Sequence, residues 1–251
     1  MPTLLKIHDL DGHPEHELEW KKSEVPFICN GCKELGFGVC YQCPDMNCNY
    51  ILHEECGIRR PTPPFQKFFE DCNFQFHPEN PLGPRKCDIC TLDIQGFLYQ
   101  CSYGEHNLHP HCTSLPPVIS LPDSDMSIYL RRRIQSKCLK CQSKKISSSR
   151  VQGLSYASSD GKLCYHVTCL KQASLEAWKR DYFNLDVNAN DEEKSLALQN
   201  LSPKLVVRPS GEQNSKAMKG FKLLIKFIKL LFSALLGDHF TLFSTLFQNF
   251  S

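Results

Sequence analysis

Cys29-x2-Cys32 is followed by His53-x2-Cys56, Cys87-x2-Cys90 by His109-x2-Cys112, and Cys138-x2-Cys141 by His166-x2-Cys169. Each set offers three thiolates and one imidazole, a complete tetrahedral shell for one zinc ion. Two cysteines two residues apart fit a tight knuckle whose backbone N–H groups point at the sulfurs. The distant His-x2-Cys pair closes the loop, so the metal's binding energy doubles as folding energy. Corresponding ligands recur roughly every 50–60 residues, the mark of an array of small, similar modules.

The first module holds further ligands. His16 precedes its knuckle, and Cys43-x4-Cys48 lies between the two halves of its main set. This interleaved order predicts a second zinc on His16, Cys43 and Cys48. His13 is the favoured fourth ligand because His13-x2-His16 allows a two-point grip; Cys40 and Cys72 compete for the place. In the second module Cys72-Asn-Phe-Gln-Phe76 parallels His16-Glu-Leu-Glu-Trp20, and Cys101-x4-His106 parallels Cys43-x4-Cys48. A second site on Cys72, Cys101 and His106, completed by His77, is therefore expected. In the third module Ser158 stands where Cys43 stands in the first, so its second site is degenerate. About four to five zinc ions follow from this count. Cys40 and Cys164 read as small buried hydrophobes, and His8, His111 and His239 as solvated side chains.

Domains this small rarely build a sufficient apolar core without metal or disulfide staples. Fifteen cysteines in 251 residues supply the staples. The amino terminus shows no basic start followed by a long apolar run, so a reducing, intracellular setting is expected, cytoplasmic or nuclear. There the pattern means zinc rather than disulfides. A net charge of +2 gives no argument for nucleic acid. The one dense basic cluster, Arg131-Arg132-Arg133, reads as a solvated edge of the third module.

The elements that must position these ligands are short. Proline-rich punctuation at Pro61-Thr-Pro-Pro64 and Ser114-Leu-Pro-Pro117 divides the chain into modules at 7–64, 65–117 and 118–183. Gly96–Gln100 and Met126–Leu130 read as brief strands, and Leu170–Phe183 as a short helix. Residues 184–220 are polar and poor in aromatics, and read as a disordered linker. Residues 221–250 are rich in Leu, Phe and Ile. At roughly 100° per residue, Lys219, Lys222, Lys226 and Lys229 share one sector of a helix, within about 80°. This predicts a basic amphipathic helix, broken at Gly237-Asp238, whose charge-free runs are too short to span a bilayer. Residues 216–236 suit an anionic membrane surface or a calmodulin-type groove; the plainer reading is a helix docked on the modules.

Particular phrases resemble the plant cysteine/histidine-rich divergent C1 (DC1) family over most of residues 7 to 180. They include Phe27-x-Cys29-x2-Cys32, Tyr41-x-Cys43, Ile51-Leu-His53-x2-Cys56, Gly96-Phe-Leu-Tyr-Gln-Cys101 and Tyr165-His166-x2-Cys169-Leu-Lys. The resemblance implies small zinc-stabilised α+β modules like the diacylglycerol-binding zinc fold of protein kinase C. Here that means three tandem C1-like repeats, a linker and a helical tail. It also implies non-catalytic binding of a protein or lipid partner in signalling or stress responses. Two enzymatic readings compete. A RING-like ubiquitin ligase needs another Cys-x2-Cys pair soon after Cys56, and none follows. A thiol–disulfide oxidoreductase needs a thioredoxin-like βαβ setting, whereas each Cys-x2-Cys here comes with a matching His-x2-Cys.

Overall fold

The computed structural model of the chain describes residues 6–7, 13, 16–60, 68–69, 72–80, 83–104, 106–120, 127–146 and 151–182. The chain divides into two compact units, with the main break between Leu115 and Pro116. The expected linker and amphipathic tail lie outside the described residues.

The first unit opens with an antiparallel four-stranded meander of β1 (Lys6–Ile7), β2 (Leu18–Ile28), β3 (Leu35–Gln42) and β4 (Ile51–His53), followed by the short helix α1 (Glu54–Ile58). β3 alternates buried and half-exposed positions, the period-2 pattern of a strand covering a core on one face. β2 keeps register with β3 except between Ser23 and Phe27. Pro26 lies in that irregularity, where a missing N–H costs no ladder bond. Leu18, Phe27, Cys40, Tyr41 and Leu52 form the apolar core.

The rest of this unit repeats the plan with one long strand cut in two. β5 (Phe74–His77) pairs with β8 (Leu98–Cys101), which pairs with β9 (Asn107–Leu108). β6 (Arg85–Lys86) pairs separately with β7 (Asp93–Ile94). β5 and β6 together occupy the role of β2; the prolines between them, Pro78, Pro81 and Pro84, cannot donate to a ladder. A 3-10 turn over Pro110–Ser114 stands where α1 stands in the first module. The second unit is another four-stranded antiparallel meander, β10 (Val118–Ser120), β11 (Ser127–Arg131), β12 (Ser155–Ser158) and β13 (Cys164–His166), closed by α2 (Val167–Tyr182).

A buried tyrosine recurs two residues before the end of the equivalent strands. Tyr99 donates its hydroxyl to the Arg60 carbonyl at 2.6 Å and Tyr156 to the Pro116 carbonyl at 2.9 Å. Each thereby satisfies its one polar atom and pins the chain that enters its sheet.

Two elements differ from their sequence-based bounds. Gly96 and Phe97 do not join β8. They leave the sheet to dock on the first module, where the Phe97 N–H donates to the Gly31 carbonyl at 3.0 Å and its ring enters the first core. A Cβ on Gly96 would lie 2.0 Å from the Gly31 oxygen, and one on Gly31 would lie 2.4 Å from the Phe97 ring, so both positions admit only hydrogen. The second difference is α2, which begins at Val167 rather than Leu170, directly after His166. Among the described residues no helix is long and apolar enough to cross a membrane. Arg131, Arg132 and Arg133 are exposed, with the Arg131 guanidinium 5.2 Å from the Tyr129 ring centre.

Candidate metal centres

Each Cys-x2-Cys pair sits on a knuckle of one repeated geometry. The residue after its second cysteine takes the left-handed conformation: Lys33 at φ 62°, Thr91 at 63° and Gln142 at 56°. Its N–H donates back to the carbonyl of the first cysteine at 3.0, 2.8 and 2.9 Å respectively. Non-glycine residues seldom adopt this conformation, so the same choice at three knuckles marks a turn imposed by its ligands.

The His-x2-Cys pair sits at a strand-to-helix junction. His53 and His166 end β4 and β13, His109 follows β9, and the cysteine three residues on lies in the first turn of α1, of α2 or of the 3-10 turn. The change of backbone direction turns both side chains the same way. The N–H of His53, His109 and His166 donates to the sulfur of Cys29, Cys87 and Cys138 at 3.4, 3.4 and 3.5 Å.

Three clusters result: Cys29, Cys32, His53 and Cys56; Cys87, Cys90, His109 and Cys112; and Cys138, Cys141, His166 and Cys169. Within each, the ligand atoms lie within 4.8 Å of one another. His53 Nδ1 is 3.3 Å from Cys32 Sγ and 3.9 Å from Cys56 Sγ. His109 Nδ1 is 3.4 and 4.0 Å from Cys90 and Cys112, and His166 Nδ1 is 3.3 and 3.8 Å from Cys141 and Cys169. A zinc tetrahedron with ordinary Zn–S and Zn–N bonds has an S···N edge of about 3.6 Å, so these cages have its size.

The remaining ring nitrogens fix the tautomer in the first two clusters. His53 Nε2 faces the Leu35 carbonyl at 3.2 Å and His109 Nε2 the Asp93 carbonyl at 3.3 Å. A carbonyl only accepts, so Nε2 carries the proton and Nδ1 turns its lone pair to the sulfurs, as metal ligation requires. His166 Nε2 is buried and meets no acceptor among the described residues. Cys141 is exposed, whereas the other three ligands of this cluster are buried.

The acidities of the clustered groups are driven apart. Burial raises the Cys29 thiol, but hydrogen bonds from Cys32, Cys56 and His53 outweigh it and hold Cys29 far below the usual thiol range. Burial, joined by contacts with Cys29 and Cys32, pushes Cys56 well above that range. In the third cluster hydrogen bonding from Cys169 comes first in bringing Cys138 down to about 3, while Cys169 is driven far up by its hydrogen bond with Cys138 and by burial. A divalent cation resolves this conflict, because every thiol can ionise against it. The donor sets therefore fit zinc.

A fourth cluster gathers His13, His16, Cys43 and Cys48. His16 Nδ1 is 3.4 Å from Cys43 Sγ, and His13 Nε2 is 3.6 Å from Cys48 Sγ. His13 stacks on Tyr50 at 4.5 Å between ring centres, and His16 Nε2 lies 3.8 Å from the Asp45 carboxylate. Such outer partners orient ligand rings. The competitors for the fourth place are elsewhere: Cys40 is buried in the sheet with Sγ facing the Lys21 carbonyl at 3.5 Å, and Cys72 lies in the second module.

The expected second site on Cys72, His77, Cys101 and His106 does not form a cluster among the described residues. Strand register separates two members, since Cys101 faces Phe74 while His77 faces Leu98 at the other end of the pairing. His106 has another partner, Asp88, whose Oδ1 lies 3.1 Å from Nδ1, and it packs on Phe69 at 4.9 Å between ring centres. The equivalent of Asp88 in the first module is the neutral Asn30, whose Oδ1 accepts the Ile51 N–H at 2.8 Å. In the third module Ser158 occupies the Cys43 position. Its N–H pairs with Leu163 as that of Cys43 pairs with Tyr50, both at 3.0 Å. Its hydroxyl donates to Asp160 at 2.7 Å and accepts from the Leu163 N–H at 3.0 Å, closing a turn with hydrogen bonds.

Cys40 and Cys164 are buried in the sheets, with burial pushing their thiols up to about 11 and about 12. Sequence reasoning missed His111, which is not solvated alone: it stacks on His53 at 4.4 Å between ring centres. Its one signal, adjacency to Cys112, says nothing of a contact reached through tertiary docking.

Residues 11–57 match the C1 domain family model. The first module is thus C1-like, and the match contains the whole of its two clusters, including His13. No curated protein and no solved structure matches the chain. C1-like architecture accounts for the small sheets and for the interleaving of ligands from two centres. Four clusters compatible with zinc give a first test. Protein purified under reducing conditions is expected to carry four zinc ions per chain by elemental analysis, and fewer than three would overturn the array of centres.

Proposed function

We propose that this protein is a non-catalytic interaction protein of the DC1 type. Three tandem C1-like modules would hold zinc as structural cement and present their loops to a protein or lipid partner. One observation carries the reading: each cluster supplies a full set of four protein ligands. Catalytic zinc sites keep one position open for water or substrate, and metal-bound thiolates are poor redox nucleophiles beside free ones. Zinc in these centres would neutralise the thiolates and fix the loops between them. The loop tips favour binding. Met46 and Tyr103, in the loops after Cys43 and Cys101, are 96 % and 77 % exposed, and large exposed apolar side chains suit docking.

In the same reading the carboxyl-terminal segment tethers the modules to an anionic membrane surface or a calmodulin-like groove, in a plant signalling or stress setting. Its support is the lysine stripe of the sequence, opposite a broad apolar face. Lys222, Lys226 and Lys229 should each contribute up to about 1 kcal/mol of attraction to an anionic surface, weakened by salt. A peptide of residues 216–236 is expected to gain helicity on anionic vesicles and less on neutral ones, and to lose binding when the three lysines become glutamate. The deciding experiment is an affinity pull-down with and without residues 216–251, analysed for lipids and proteins alike. Identical empty profiles from both would end the adaptor reading.

A further inference from the structure

His111 lies between the first two zinc-compatible centres of the first unit. Its Nδ1 is 3.6 Å from Cys32 Sγ, and its Nε2 is 3.6 Å from Cys112 Sγ. We infer that His111 bridges the two centres through their sulfur ligands and couples them, so that they hold and lose metal as a pair. The inference rests on the zinc reading of the clusters.

The placement is built rather than incidental. Pro110 opens the 3-10 turn, and His109 before it is extended at φ −67°, ψ 140°. His109 thus turns Nδ1 into its own cluster, while His111 touches that cluster with Nε2 and reaches the neighbouring one with Nδ1. The docking of Phe97 on Gly31 brings the Cys32 knuckle within reach. The His111 ring is held 20° from parallel on His53, and its centre is 5.5 Å from that of His109. Three imidazoles therefore run from one cage to the other.

The hydrogen bonding divides the sulfurs in a regular way. Backbone N–H groups of His53 and His109 serve Cys29 and Cys87, and the His111 ring sets Nδ1 against Cys32 and Nε2 against Cys112, its one N–H donating to one of the two. Whichever ring nitrogen carries the proton, a ligand sulfur stands ready to accept it. An N–H donor draws charge from a zinc-bound thiolate and lowers its reactivity toward electrophiles. Partners of this kind typically alter metal affinity about 10- to 100-fold. His111 acts through the ligands and is a positioning residue, not itself a ligand.

The test uses the full chain loaded with zinc, with His111→Ala and His111→Phe. Phenylalanine keeps the ring stacked on His53 and removes both nitrogens. N-ethylmaleimide labelling, mapped by mass spectrometry, should speed up about 10-fold in both variants at Cys32 or Cys112, whichever sulfur accepts the ring N–H. Cys138 and Cys169 should label at the parent rate. Under chelator challenge the parent should release the two metals in one phase and the variants in two. If alanine strips zinc by disturbing the fold, the phenylalanine variant decides. Parent-like labelling at Cys32 and Cys112, or zinc loss confined to one centre, overturns the bridge. A parent protein without zinc in these two centres would overturn the zinc reading and the bridge with it.

Discussion

Cys87→Ser is expected to unfold the second module. Cys87 is fully buried, accepts the His109 N–H through its sulfur and anchors its knuckle through its carbonyl, which takes the Thr91 N–H. A serine hydroxyl cannot replace a thiolate as a zinc ligand at neutral pH. A structural zinc contributes on the order of 10 kcal/mol to such a domain, as much as the whole stability of most domains. Zinc content should fall by at least one ion per chain, and limited proteolysis should open residues 72–115. The first module should loosen too, since Phe97 is part of its core. Cys164→Ser is the contrast. Cys164 is equally buried but belongs to no cluster, so the change should cost about 1–3 kcal/mol for a buried hydroxyl and no zinc. Parent-like protease resistance in Cys87→Ser would rule out the assignment of that centre.

Gly96→Ala should separate the first two modules while leaving their metals in place. The added methyl would sit 2.0 Å from the Gly31 oxygen, a backbone atom that cannot swing aside. The hydrogen bond from Phe97 N–H to that oxygen is lost, and the Phe97 ring, 5 % exposed, is drawn out of the first core. Burying such a side chain is worth about 1.5–3 kcal/mol and the hydrogen bond about 1 kcal/mol. The Phe97 amide should then exchange with solvent about two orders of magnitude faster, with four zinc ions still bound. Unchanged exchange at Phe97 would show that the contact is not what holds the modules together.

The grouping of cysteines and histidines into clusters was readable from sequence where geometry is local. Cys29 and Cys32, or His53 and Cys56, are fixed by a turn of a few residues, and repetition shows which turns matter. His13 was readable for the same reason, through its spacing from His16. The second site of the middle module was misread because strand register and a single substitution decide it. His77 faces the wrong partner, and Asp88 in place of Asn30 takes His106. His111 and Phe97 were illegible in principle, because each gains its role from a neighbouring module far away in the chain. α2 starts at Val167, three residues before the expected Leu170, because the turn from β13 into the helix carries His166 and Cys169 onto one cluster.

The passage of Phe97 into the first module's core also bears on synthesis. A ribosome delivers the chain from its amino end, and domains usually fold in that order. The first module can bring its two Cys/His clusters together as soon as Cys56 has emerged. Its apolar interior stays open until the second Cys-x2-Cys knuckle has been made and Phe97 follows it out. During that interval the nascent chain exposes a Phe-sized vacancy beside Gly31, a surface that a chaperone can hold and that a second nascent copy can fill by exchange. The module at the front of the chain is thus completed only after part of the next one has been made.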